Sequence, residues 1–132
     1  MCNSDTDEPI SDPRCVSRAV LEHSTGRWGA LVLVSLTDGP TRFAGVRRSV
    51  TGISDRMLAQ TLQRLESHGL VSRTTYDRGN SRVEYSLTTI GAPIAEQLVV
   101  LVAVIEQQLP AIHAHRVGAG PGQHSVPLIP GS

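Results

Sequence analysis

The chain has 132 residues, no formal net charge with twelve basic against twelve acidic side chains, and an apolar share of 39%. That length holds one domain with a modest core plus tails, and no uninterrupted apolar run approaches the roughly 18 residues of a membrane span, the longest being Leu98 to Ile105. Every basic residue is Arg, which excludes a P-loop lysine and Schiff-base catalysis, and two cysteines, Cys2 and Cys15, make no disulfide framework.

Residues 1–12 carry Asp5, Asp7, Glu8 and Asp12 without a base. They read as a disordered acidic tail, not a signal or transit peptide, so the cytoplasm is the expected compartment. From Pro13 to His23 a short helix is predicted, with Val16, Ala19, Val20 and Leu21 on its apolar side. "GRWGALVLVSLTDGP" is the strongest core segment, placing Trp28, Leu31, Val32, Val34 and Leu36 within ten residues ahead of an Asp38-Gly39-Pro40 helix stop. Thr41 to Phe43 reads as a brief strand, "FAGVRRS" as a short helix, and "VTGI" as a turn containing Gly52.

Ser54 is a good N-cap, and Asp55 sits where a helix dipole favours an acid. The helix that follows, ending at a C′ glycine, Gly69, has two faces. Met57, Leu58, Thr61, Leu62 and Leu65 recur on one, and Arg56, Gln60, Gln63 and Arg64 on the other, with small Ala59 between them. Arg bonds guanine bidentately in the major groove and Gln bonds adenine; the plain alternative is a solvated helix face. "LVSRTTY" and "RVEYSL" are strand-like, and "DRGNS" between them makes a β-hairpin with an Arg-bearing tip. Residues 41–82 hold eight Arg against Asp55, Glu66 and Asp77, a net of +5 concealed by the neutral total. A last helix starts at Thr88 or Thr89 and runs to about His113, and its centre, "LVVLVAVI", is apolar all round. Such a helix needs a second partner, so Leu98, Leu101, Val102 and Ile105 are expected to form an interface with another copy of the chain. The remainder is Gly/Pro-rich and reads as a second disordered tail.

This order predicts a mainly α (α+β) fold, a winged helix-turn-helix with a two-stranded β-wing and a long C-terminal dimerisation helix, over residues 13–114 between tails 1–12 and 115–132. In that fold Ser54, Arg56, Gln60, Gln63 and Arg64 belong to the recognition helix. Arg47, Arg48, Arg78 and Arg82 are placed to grip phosphates or enter the minor groove, while Arg73 alternates within the first strand of the hairpin. Neither a Ser-His-Asp arrangement, nor paired carboxylates on one face, nor a nucleotide loop is evident, so no catalytic residue and no cofactor is expected. His113, His115 and His124 lie in or beside a Gly/Pro-rich segment that offers a metal no fixed geometry.

From Cys15 to about Leu109 the chain resembles the HxlR-type family of bacterial transcription regulators. The resemblance rests on Cys15, Gly26-Arg27-Trp28, Gly39-Pro40 with Arg42-Phe43, Gly52-Ile53-Ser54, Leu65-Glu66 with Gly69-Leu70, and Arg82 to Thr88. It implies a dimeric winged-helix DNA binder whose first and last helices build the dimer. Three departures stand out: Val16 replaces the Pro that usually follows the cysteine, Ala44-Gly45-Val46 replaces an Asn-Glu-Leu type entry, and Asn80-Ser81 replaces prolines before the last strand. Gly45 should weaken its short helix by about 1 kcal/mol. Some members use the cysteine equivalent to Cys15 to sense oxidants or electrophiles, and Arg14 and Arg18 beside it favour a thiolate; the alternative for Cys15 is a small buried hydrophobe. The sequence thus points to a homodimeric, sequence-specific DNA-binding regulator on a pseudo-palindromic operator, with an oxidant or electrophile as candidate effector and no membrane partner. A winged-helix module for protein–protein contact is the rival reading.

Overall fold

The computed structural model describes residues 15–78 and 80–119, apart from the side chains of residues 77–81 and 119. The acidic tail expected at 1–12 and the chain beyond 119 lie outside the described residues. The fold divides into two units, Met1–Val99 and Val100–Ser132.

In the first unit, helices α1 (Val16–Thr25) and α2 (Gly29–Ser35) precede a 3₁₀ turn at Leu36–Asp38, which Gly39 ends with a φ of 119°. A two-residue strand, β1 (Thr41–Arg42), leads into α3 (Phe43–Ser49), and α4 (Asp55–Ser67) follows the Gly52 turn. Strands β2 (Val71–Arg78) and β3 (Asn80–Leu87) form the wing, and α5 begins at Gly91. The sheet has three strands in the order β1-β3-β2, the expected two-stranded wing being joined at its edge by the brief strand near Thr41. Thr41 pairs with Tyr85 and Arg42 with Glu84, both antiparallel. The hairpin is also tighter than a five-residue loop, since pairing extends to Arg78 opposite Asn80.

The core is built from Val32, Leu33 and Leu36 of the α2 segment, Val46, Val50 and Ile53 around the turn, Leu58, Leu62 and Leu65 of α4, then Leu70, Val71, Ala95 and Leu98. Within "GALVLVS" the buried stripe is Val32 and Leu33, not Leu31, which is exposed. An apolar run leaves the choice of face open, and the 3.6-residue period lets only one stripe meet α4. Val16 and Leu21 of α1 are exposed as well.

Helix α4 is fastened at both ends. The Ser54 hydroxyl accepts from the Met57 N–H at 3.1 Å. At the other end Leu70 N–H donates to Leu65 C=O at 3.0 Å and Gly69 N–H to Glu66 C=O at 2.9 Å. This is a Schellman motif with the buried Leu65 and Leu70 as its apolar clasp, and it requires the φ of 80° at Gly69. Thr88 then joins three elements. Its hydroxyl donates to Gly69 C=O at 2.6 Å and accepts from Gly91 N–H at 3.0 Å, so it caps α5 while holding the end of the α4–β2 turn.

Helix α5 spans Gly91–Ala119, past the expected end near His113 and through an internal Pro110. By length and composition it is apolar enough to cross a membrane, which uninterrupted runs did not reveal because isolated polar residues such as Glu106 and Gln107 break them. In the first unit Ala95 and Leu98 are buried. In the second, Val100, Leu101, Val104, Ile105, Ile112 and Val117 are exposed.

Because φ near +80° costs a β-carbon about 1–2 kcal/mol, Gly69→Ala should lower the melting temperature by several degrees. Replacement by Asn, which tolerates the left-handed region, should recover part of that loss; thermal denaturation followed by circular dichroism checks both.

Candidate nucleic-acid interface

The two faces of α4 separate as their spacing requires. Leu58, Thr61, Leu62 and Leu65 are buried and Met57 is half-buried, while Arg56, Ala59, Gln60, Gln63 and Arg64 are exposed. Thr61 is tolerated inside because its hydroxyl donates to Met57 C=O at 2.7 Å. The exposed stripe therefore offers two guanidinium and two carboxamide groups on a helix whose position is set by the leucines beneath it.

Arg47 and Arg48 occupy the last turn of α3 and are exposed. With Thr51, Gly52 and Ile53 they line a shallow cleft of about 350 Å³ at the turn before α4. Arg47 Nε lies 3.3 Å from Asp55 Oδ1, so the first acid of α4 already holds one arginine of α3. In high dielectric such a pair adds little stability, and its main effect is to orient the two helix ends. On the wing, the Arg82 guanidinium lies 5.3 Å from the Tyr76 ring centroid, with its Nε 3.7 Å from Glu84 Oε2. The side chain of Arg78 lies outside the described residues. Arg73 is exposed on β2.

Two features at the back of α4 escaped the sequence reading. His23 Nδ1 of α1 lies 2.6 Å from Nε2 of His68, the C-cap of α4, across 45 residues of chain. One ring donates and the other accepts, an arrangement two imidazolium ions cannot adopt. Burial, and secondarily the charge of His23, hold His68 below the ordinary histidine value of 6.5. Close by, Glu22, His23, Gly26, Arg27, Trp28, Gly29, Met57, Thr61 and Arg64 line a half-open cavity of about 340 Å³ between the α1–α2 turn and α4. The turn is tight there, since a β-carbon on Gly29 would lie 1.8 Å from His23 C=O. The Arg27 guanidinium stands 4.8 Å from the Trp28 ring centroid. Arg27 and Trp28 carry no periodic signal, and only folding brings them beside Met57 and Arg64.

Cys15 is 2% exposed at the N-cap of α1 and is disulfide-bonded. The chain's other cysteine, Cys2, lies outside the described residues. Leu98, assigned from sequence to an intersubunit interface, is 7% exposed in the core of its own unit, because its position on α5 faces the buried leucines. Leu101 and Ile105 are about half-exposed, at 50% and 47%, and Val102 is partly buried. Among the described residues no group of three His, Cys, Asp or Glu side chains converges as for a metal; His124 lies outside them.

A family model described as HxlR-like helix-turn-helix matches residues 24–113. The chain belongs to that family. This HxlR-like chain is 46% identical over 103 residues to the HTH-type transcriptional regulator YtfH of Escherichia coli K12, spanning 78% of this chain and 82% of that one. The solved structure of the YtfH transcriptional regulator from Salmonella typhimurium superposes with a TM-score of 0.74 at 41% identity, over 88% of this chain and 98% of that one. The redox regulator HypR in its reduced form superposes at 0.67 with 29% identity, over 74% and 96%. The HxlR-like assignment makes the chain an HTH-type transcriptional regulator with a winged-helix fold.

Since folded His68 binds a proton less readily than it does in the unfolded chain, its contribution to stability is complete above pH 6.5 and declines as pH falls below that value. The melting temperature should therefore drop between pH 7 and 5. His68→Gln, which keeps a group able to bond His23, should flatten that dependence, as calorimetry at matched ionic strength would register.

Proposed function

We propose that the chain is a homodimeric, sequence-specific DNA-binding regulator that lays α4 of each copy into successive major grooves of a pseudo-palindromic operator. The observation carrying this reading is the exposed Arg56-Gln60-Gln63-Arg64 stripe opposite a face that buries Leu58, Leu62 and Leu65. Ser54 orients the first turn, Arg56 and Arg64 address guanine edges, and Gln60 and Gln63 address adenine. Arg47 and Arg48, beside the shallow cleft at the turn, suit a phosphate. Arg82, and Arg78 with it on the hairpin, suit the flanking backbone or minor groove. The exposed apolar residues Leu101, Val104 and Ile105 of α5 supply the surface that a second copy would cover, with Val16 and Leu21 of α1 as further candidates. Two-fold symmetry would set the recognition helices about 34 Å apart. The protein–protein rival has no feature that explains a net of +5 over residues 41–82.

Selection from a random DNA pool should enrich inverted half-sites. Affinity for the enriched duplex should fall steeply and log-linearly with salt, as counterion release by the arginines requires. Arg56→Ala with Gln60→Ala should remove specific retention, at least about tenfold from two lost base contacts, while sedimentation still shows the dimer. A flat salt slope, or an unaltered double variant, would favour the interaction module.

A second reading, redox responsiveness, is favoured by the disulfide-bonded state of Cys15 and by likeness to a redox regulator. Oxidation and reduction there would reset the start of α1, where Cys15 C=O accepts from Ala19 N–H at 3.2 Å. Diamide or a quinone should change the DNA affinity of the pre-reduced protein, and Cys15→Ser should abolish the change; oxidant sensitivity that persists in the variant refutes the role.

A further inference from the structure

The cavity behind α4 is chemically one-sided. Its lining includes Trp28 and Met57 as apolar residues and Arg27 and Arg64 as basic ones. Among the described residues no carboxylate lies within ion-pair distance of either. The one acid in the lining, Glu22, is held by Arg18, whose Nε lies 2.9 Å from Glu22 Oε2. The Thr61 hydroxyl is committed to Met57 C=O and His23 Nδ1 to His68. What remains is positive charge around the Trp28 ring, from whose centroid the Arg27 guanidinium stands 4.8 Å, in a half-open volume of about 340 Å³. A planar apolar body carrying one negative charge answers both halves of that lining, because guanidinium groups bond a carboxylate bidentately and an arene stacks on indole.

We propose that this cavity binds a small aromatic carboxylate, and that occupancy weakens DNA binding by holding Arg64, which already lines the cavity, away from the DNA. The regulatory half rests on the DNA-binding reading of α4; the binding half does not. Arg64 belongs to both surfaces, and its guanidinium cannot serve a carboxylate behind the helix and a base edge in front of it at once.

Trp28 is the only tryptophan of the chain and lines the cavity, so its fluorescence reports occupancy without DNA. Benzoate, titrated into the full-length protein at constant ionic strength, should quench it saturably. Arg27→Gln and Arg64→Gln should each raise the midpoint at least about tenfold, the equivalent of one lost charge-assisted contact. Glu22→Gln should lower it. Acetate, a charge without a ring, and benzamide, a ring without a charge, should not saturate in that range. Unsaturable quenching, unchanged midpoints in both arginine variants, or benzamide equal to benzoate would overturn the site. In a second arm, benzoate should weaken binding to the selected duplex in the wild type and do so far less in Arg27→Gln. Benzoate binding without any effect on DNA affinity overturns the coupling through Arg64. If Arg27→Gln weakens DNA binding while benzoate leaves Trp28 unchanged, the cavity is a phosphate contact and the proposal fails. A protein that binds benzoate but no DNA leaves the site standing and overturns the reading of α4 instead.

Discussion

The packing of α4 against the core is the constraint on which the rest of the structure depends. Leu58, Leu62 and Leu65 bury one stripe of the helix against Val32, Leu33 and Leu36, at roughly 1.5–3 kcal/mol for each fully buried side chain. The Ser54 cap and the Gly69 Schellman turn fix where the helix starts and stops. With one face committed and both ends tied, the opposite face has no rotational freedom left. The polar residues on it present a fixed pattern to whatever approaches.

The same commitment explains how much could be read from the residues alone. In α4 the apolar period, the N-cap and the C′ glycine all lie within the helix or one or two residues beyond it, so its division into buried and exposed faces was legible in the sequence. So were the hairpin and the short helix "FAGVRRS", whose signals are equally local. Pairing of Thr41 with Tyr85 was not legible, because two residues carry no alternation and their partner lies 44 positions on. The His23–His68 contact and the grouping of Arg27, Trp28, Met57 and Arg64 are likewise products of helix packing, on which no periodicity within one segment bears. Leu98 was misplaced for a related reason. In a helix apolar all round, sequence offers no way to tell the residue that meets its own core from the one left outside.

Electrostatics in this protein is a matter of placement, not total. A formally neutral chain concentrates arginine between residues 41 and 82, and some of those charges are already engaged. Arg47 is oriented by Asp55, and Arg82 by Glu84 and the Tyr76 ring. Arg56 and Arg64 have no such partner among the described residues. The engaged arginines are held in fixed positions, whereas the others keep their full donor set for an incoming ligand.

The two-residue strand β1 binds the start of α3 to the central strand of the wing through Thr41 and Arg42. A wing attached only at the end of α4 could swing about that one joint. With a second attachment on the other side of the helix-turn-helix, its base becomes a braced frame, and spacing between hairpin root and α3 is set by the protein like the jaws of a fixed-gap caliper. Under the proposed DNA-binding role, a duplex engaging both would have to match that gap, so adjustment to a poorly fitting site would fall to the DNA, by bending or change of groove width.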